Sequence, residues 1–489
     1  MELPINSRID EFNYGIKSTL AQVLALSTSY LLTMKLGIDQ MTPSIIIGAV
    51  TDSRNNNNNS LSKISEEQSS WIGSILYLFP PVGSVFASLV QDRLGHRTCM
   101  ILANVTHLLS IAILLFADTP KLLYAVTGLM GFNVGFINSV TISYCGEVCD
   151  PKLRGLLLSV CSLFYFAGYL FITTSYAITA DWKLSVLFTV AIPVVNAGLL
   201  FQTPDSPMWL LSKNRKEEAK QTFKKLRGGA SEENCIKEFQ DMILYTSKMD
   251  LIDSPTKETK SNSLSDSFYN FIEPETLKPF QMLVIITFFN NVLSGQPFVP
   301  YLMSVFDTFK TPLHSAWSMT INMTCGVLGN VVTIIVISRI GKRTLTLSTM
   351  ASSIVCYTCI GIVGRFWSPS LISSWIQLVL FFVSSFFSSM GFVPVMWILY
   401  GELYPMKTKN MGAGISSAMF FITCFLMTKF YRNFETLVGF YNTFIIFGVL
   451  GVVGFIYIYY KLPETENKTL NEISANFKRK STKINIQRT

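Results

Sequence analysis

The chain has 489 residues, of which 49% are hydrophobic and only 14% charged, with a mean hydropathy of +0.39 and a formal charge of +8. That balance excludes a sizeable soluble domain. It also excludes nucleic acid as the partner of the excess Lys and Arg, which gather in particular loops as the cytoplasmic loops of a membrane protein require. Three histidines, His96, His107 and His314, lie far apart in the chain, and of the nine cysteines the pair Cys145 and Cys149 lacks the second ligand pair that a zinc site needs. Neither a metal site nor a catalytic cluster follows from them, so the chain reads as a non-enzymatic, all-α membrane protein without a cofactor.

The polar stretch 1–17 lacks the apolar core and cleavage site of a signal peptide and is expected in the cytoplasm. Runs near the ~20 residues that span a bilayer then recur near 18–38, 70–90, 99–117, 122–143, 156–178, 184–203, 281–305, 315–337, 344–364, 372–400, 412–430 and 440–460. Twelve transmembrane helices are therefore expected. The loop at 39–69 is polar, holds the run Asn55 to Asn59, and contains the glycosylation pattern Asn58-Asn59-Ser60, which requires an extracellular loop. Arg93 and Arg97, Lys152 and Arg154, Arg339 with Lys342 and Arg343, and Lys407 with Lys409 all fall on the opposite side. By the positive-inside rule both termini lie in the cytoplasm.

These limits divide the chain into a bundle of six helices over 18–203, a linker over 204–279, a second bundle of six over 280–460 and a cytoplasmic tail over 461–489. Within the linker, Lys213 to Arg227 reads as a basic helix stopped by Gly228 and Gly229. Apolar residues at 236, 239, 242 and 243 continue with an amphipathic spacing. Both stretches are expected as cytoplasmic helices beneath the bundle.

The two bundles repeat each other weakly. QDRLGHR at 91–97 answers to ISRIGKR at 337–343, EVCDPKLRG at 147–155 to ELYPMKTKN at 402–410, and PDSPMWLL at 204–211 to LPETENKTL at 462–470. Three matches in one order at nearly one offset point to two six-helix pseudo-repeats. Helix seven carries Gly295, Pro297 and Pro300. Such an interrupted helix persists in a membrane where neighbours or a water-lined cavity satisfy the freed backbone groups.

Asp92 to Arg97, Glu147 with Arg154 and Gly155, Pro204 to Leu210, Pro463 to Leu470, the run GFNVGFINSVTISYCGE and the Trp-bearing run GFVPVMWILYGELYP together resemble the sugar porter family of the major facilitator superfamily. The animal facilitated trehalose and hexose carriers are its nearest branch. The resemblance implies the major facilitator fold and a cytoplasmic gate of Asp92, Arg93, Arg97, Glu147, Arg154, Arg339, Arg343, Glu402 and Lys409. It also implies a substrate held between the halves by Ser162, Asn291, Gln296, Tyr301 and Trp397. Several of the family's site amides are replaced here, with Val292, Ser162 and Gly326 in their places and Phe421 where a Trp is usual.

Lys35 is the one cation well inside an apolar segment. Facing the cavity it would favour an anionic substrate; lying near the outer end of its segment it can instead snorkel. No Asp or Glu falls inside the twelve segments as bounded above, so facilitated diffusion without a proton carrier is expected. The function expected is that of a monomeric plasma-membrane carrier for a small solute, foremost a sugar. A carrier for a non-sugar, anionic solute and a non-transporting nutrient sensor are the rival readings.

Overall fold

A computed structural model describes residues 15–51, 64–150, 153–228, 273–404 and 408–465, with a few positions within 236–243. Asn58 lies outside the described residues, as do the side chains of Arg154 and Lys409. Among the described residues every regular element is helical. The first half holds α1 (Gly15–Thr51), α2 (Glu66–Leu78), α3 (Pro80–Leu94), α4 (His96–Leu115), α5 (Pro120–Val148), α6 (Arg154–Thr179), α7 (Trp182–Phe188) and α8 (Ala191–Leu200). Two short helices follow, α9 (Pro207–Ser212) and α10 (Lys216–Leu226).

The second half holds α11 (Pro274–Leu293), a 3₁₀ turn (Gln296–Tyr301), α12 (Leu302–Thr308), α13 (Ser315–Ile340), α14 (Lys342–Phe366), α15 (Leu371–Met390), α16 (Phe392–Glu402), α17 (Lys409–Val438) and α18 (Phe440–Lys461). Counting α2–α3, α7–α8, α11–α12 and α15–α16 as single interrupted spans, 11 helices among the described residues are long and apolar enough to cross a membrane.

The twelfth expected helix is α1, which differs from expectation in an instructive way. At 37 residues and 1.5 Å per residue it is far longer than a bilayer is thick. Its polar residues dilute its hydropathy, yet Gln22, Lys35, Asp39 and Gln40 are all buried. It does not stop at 38: the chain stays helical through Pro43 to Thr51. Asp39 therefore lies in mid-helix rather than in a loop, which corrects the expectation that no carboxylate falls within the spans.

The halves repeat in three dimensions at the turn between their second and third spans. Gly95 and Gly341 adopt φ of 80° and 84°, a region L-residues avoid, and each N–H closes the preceding helix on the carbonyl four residues back. In the first half the Trp209 ring packs on Gly95, and in the second the Glu464 carboxylate packs on Gly341. The motif pairs matched in the sequence thus become the same corner built twice. Beneath the first corner, Leu210, Leu211, Ala219, Phe223 and Phe239 form a small separate core. Arg227 ties it to the main bundle by hydrogen bonds from its guanidinium to Glu238 and to the Val148 carbonyl that ends α5.

Candidate functional site

The halves meet along two seams, α6 against α13 and α2 against α17, with α1 against the 3₁₀ turn and α12 between them. On the first seam the Asn330 amide donates to the Ser162 hydroxyl at 2.9 Å, and Phe166 covers Gly326 one turn away. At the end remote from the basic loops the seam is closed. There the Ser70 hydroxyl donates to the Lys429 carbonyl at 2.7 Å, and the Lys429 ammonium sits 4.0 Å from the centre of the Trp71 ring. Arg432 donates to the Ser304 hydroxyl and lies over the Tyr301 ring, which stacks on Tyr431. Gly48 and Gly73 abut Met303 and Pro300 so tightly that a Cβ at either would collide. Tyr301 is thus part of this closed end.

The middle of the seam is polar. The chain breaks at Gly295 (φ 75°) between α11 and the 3₁₀ turn, with Asn290, Asn291 and Gln296 flanking the break in sequence. Gln40 accepts hydrogen bonds at its Oε1 from the Tyr165 hydroxyl at 2.6 Å and the Tyr169 hydroxyl at 2.8 Å, which brings the two phenol oxygens against each other. Tyr77 of α2 and Cys424 of α17 lie within electrostatic range of these phenols, and the Cys424 thiol lies beside the Asn291 amide. Five helices from both halves therefore converge on one centre.

Several polar atoms there lack an oxygen or nitrogen partner among the described residues: both amide atoms of Asn291, Oε1 of Gln296 and the Tyr77 hydroxyl. An unpaired buried group of this kind costs about 1–3 kcal/mol. Trp397 on α16 is half-buried, its ring packed on Tyr400, Phe420 and Phe421.

Lys35 neither snorkels nor faces this centre. It is fully buried, and its amine donates to the Asn104 side chain and to the Ala103 carbonyl within the first half. Asn104 passes the chain of hydrogen bonds to Asn196, which donates to the Thr28 carbonyl. One turn along α1, Asp39 faces His107 with Oδ1 and Nδ1 3.0 Å apart, both side chains fully buried. The Asn133 amide donates to the other carboxylate oxygen, and Thr106 donates to Asn133. Placing Asp39 in a loop concealed this pair; the run Ile45 to Val50 beyond it continues the apolar pattern that could have revealed the helix.

At the basic end the expected gate residues divide by half. Glu147 is held by Ser206 and lies 3.6 Å from His96, while the Trp209 indole donates to the Asp92 carbonyl. Glu402 pairs with Lys342 at 2.7 Å. Glu464 accepts from the backbone N–H groups of Lys342 and Arg343 at the start of α14, where a carboxylate is favoured. Arg343 donates to the Tyr459 carbonyl. Arg93 and Arg339 are exposed, and with Arg97 they make no ion pair to another described residue. No ion pair among the described residues joins the halves at this end; the local bonds there are made by His96, Ser206, Lys342, Arg343 and Glu464.

A family described as Sugar (and other) transporter matches residues 38–477. The facilitated trehalose transporter Tret1 of Apis mellifera ligustica is 24% identical over 419 residues, covering 85% of this chain and 80% of the relative. Its namesake in Culex quinquefasciatus is 23% identical over 469 residues, covering 94% and 86%. Of the one in Drosophila willistoni, 24% identical, the chain spans only 46%. Among solved structures, the proton:xylose symporter XylE, of the major facilitator superfamily (MFS), bound to 6-bromo-6-deoxy-D-glucose superposes with a TM-score of 0.71 at 16% identity, over 94% of this chain and all of the other. The inward open xylose transporter XylE from E. coli gives 0.70 at 17% identity, over 92% and 99%.

Proposed function

Because the chain belongs to the sugar (and other) transporter family, and so is a multi-pass membrane carrier rather than an enzyme, we propose that it moves a small neutral sugar across the plasma membrane by alternating access between its halves. The observation that carries this reading is the polar centre on the seam, where both amide atoms of Asn291 and the Tyr77 hydroxyl are buried without an oxygen or nitrogen partner among the described residues. Neutral polyols are recognised by such paired donors and acceptors. Ser162 and Gln296 on the seam, and Trp397 on α16, are proposed to complete the site, with Tyr301 closing it. The anionic reading loses its support, because the Lys35 amine is engaged within the first half. With the remote end closed and no described ion pair crossing the basic end, the gate residues Glu147, Arg154, Glu402 and Lys409 are proposed to pair across the halves only when the basic end shuts.

Facilitated diffusion is the mode the name of the insect relatives suggests. A second mode is favoured by one specific observation: the buried Asp39–His107 pair is a group able to take up and release a proton inside the membrane. Reconstitution into proteoliposomes tests both, with labelled D-glucose and trehalose supplied with and without an imposed pH gradient. Uptake that equilibrates and ignores the gradient fits facilitated diffusion, gradient-driven accumulation fits proton coupling, and no uptake of either sugar overturns the carrier reading.

A further inference from the structure

The site lacks an amide at Ser162, which hydrogen-bonds across the seam to Asn330 instead. α1 supplies one from another direction. Gln40, Ser44 and Gly48 recur every four residues and so share a face of α1, and Gly48 abuts Met303 of the other half, so this face looks onto the seam. The Gln40 carbonyl oxygen is saturated by two phenols. Its Nε2 has no partner among the described residues, and it is not among the enclosed partnerless atoms.

The phenols also decide which way the amide turns. With the oxygen toward them, both hydroxyl protons are used. With the NH2 toward them, one phenol could donate to the other, and the second would keep a buried proton without an acceptor, which is unfavourable.

We propose that Gln40 is a substrate-binding amide, donating from Nε2 to a hydroxyl or ring oxygen of the sugar, and that Tyr165 and Tyr169 are its positioning pair. This rests on the sugar-carrier reading. The consequence is a division of labour: Gln40 only donates, whereas Asn291 can donate and accept, so the substrate must present an acceptor toward α1 and α6.

The test measures proteoliposome uptake of D-glucose and its monodeoxy analogues by wild type, Gln40→Glu and Tyr169→Phe, with protein incorporation checked for each. Gln40→Glu keeps both phenol contacts and removes the donor. It should raise KM roughly tenfold with little change in maximal rate. One hydroxyl whose deletion costs wild type roughly tenfold should cost Gln40→Glu almost nothing, the signature of a direct pair that a packing role would not give. Tyr169→Phe frees the amide to turn and should shrink the penalty at that same hydroxyl; it carries the test if Gln40→Glu fails to incorporate. Unchanged deoxy penalties in an active variant overturn the assignment while leaving the carrier reading intact. A wild type that moves neither glucose nor trehalose overturns both.

Discussion

Lys35 and Asp39 put two opposite charges one helical turn apart inside the first half, and their coupling can be worked out. Neighbours at i and i+4 lie about 6 Å apart. At an effective dielectric of about 20 their attraction is then about 3 kcal/mol. Asp39→Asn keeps an oxygen to accept from Asn133 but removes the carboxylate, leaving the Lys35 ammonium buried with only the neutral acceptors Asn104 and Ala103. Removing one member of a buried pair costs about 3–5 kcal/mol. Lys35→Met removes the cation and leaves Asp39 with His107 and Asn133. The double variant buries neither charge and should be more stable than the sum of the single losses implies, by about 3 kcal/mol. Denaturant titration of the purified variants in mixed micelles, at one pH and detergent, measures this. Additive losses within about 0.5 kcal/mol would show that the charges do not sense each other and would refute the reasoning.

At the closed end, Lys429→Gln and Trp71→Leu each remove a cation–π contact of about 0.5–2 kcal/mol and should raise thiol labelling of a cysteine placed at Ser304. Unchanged labelling in both would assign the closure to helix packing alone. At the basic end, Glu402→Gln and Lys342→Gln should slow transport to a similar degree and give no further loss together, since they break one 2.7 Å pair; independent losses in a double-mutant cycle would mean they act separately. Arg154→Ala is expected to lower transport while leaving folding intact, read as uptake per unit of protein in the membrane. In the seam, Trp397→Ala and Asn291→Ala should each weaken sugar binding by about 1–3 kcal/mol, measured as an inhibition constant for a non-transported sugar analogue, and equal affinities in both would remove these residues from the site.

The fold was legible because the membrane reduces the problem to lengths of apolar chain. Repeated motifs then carried over directly, as with Gly95 and Gly341, whose left-handed backbone both halves need at the same corner. The ends of helices were less legible where polar residues interrupt an apolar run. Hydropathy scores Lys35, Asp39 and Gln40 as costly, whereas in the folded chain Lys35 donates to Asn104, and Asp39 accepts from Asn133 and lies against His107, all on neighbouring helices. A composition window cannot register partners supplied by tertiary structure.

The same reasoning explains which half of the site could be read in advance. Asn291 and Trp397 stand at positions a family pattern names, so they could be carried over residue by residue. Gln40, Tyr165 and Tyr169 belong to no such pattern. They become a unit only when α1 and α6 pack at the distance fixed by Gly37 and Gly168, where a Cβ on either helix would strike the other's backbone. Amides missing from one helix are therefore no measure of the whole site's polarity. A site between halves is defined by what converges there, and in this chain the proposed convergence includes a helix that composition alone would have ended at residue 38, two residues before Gln40.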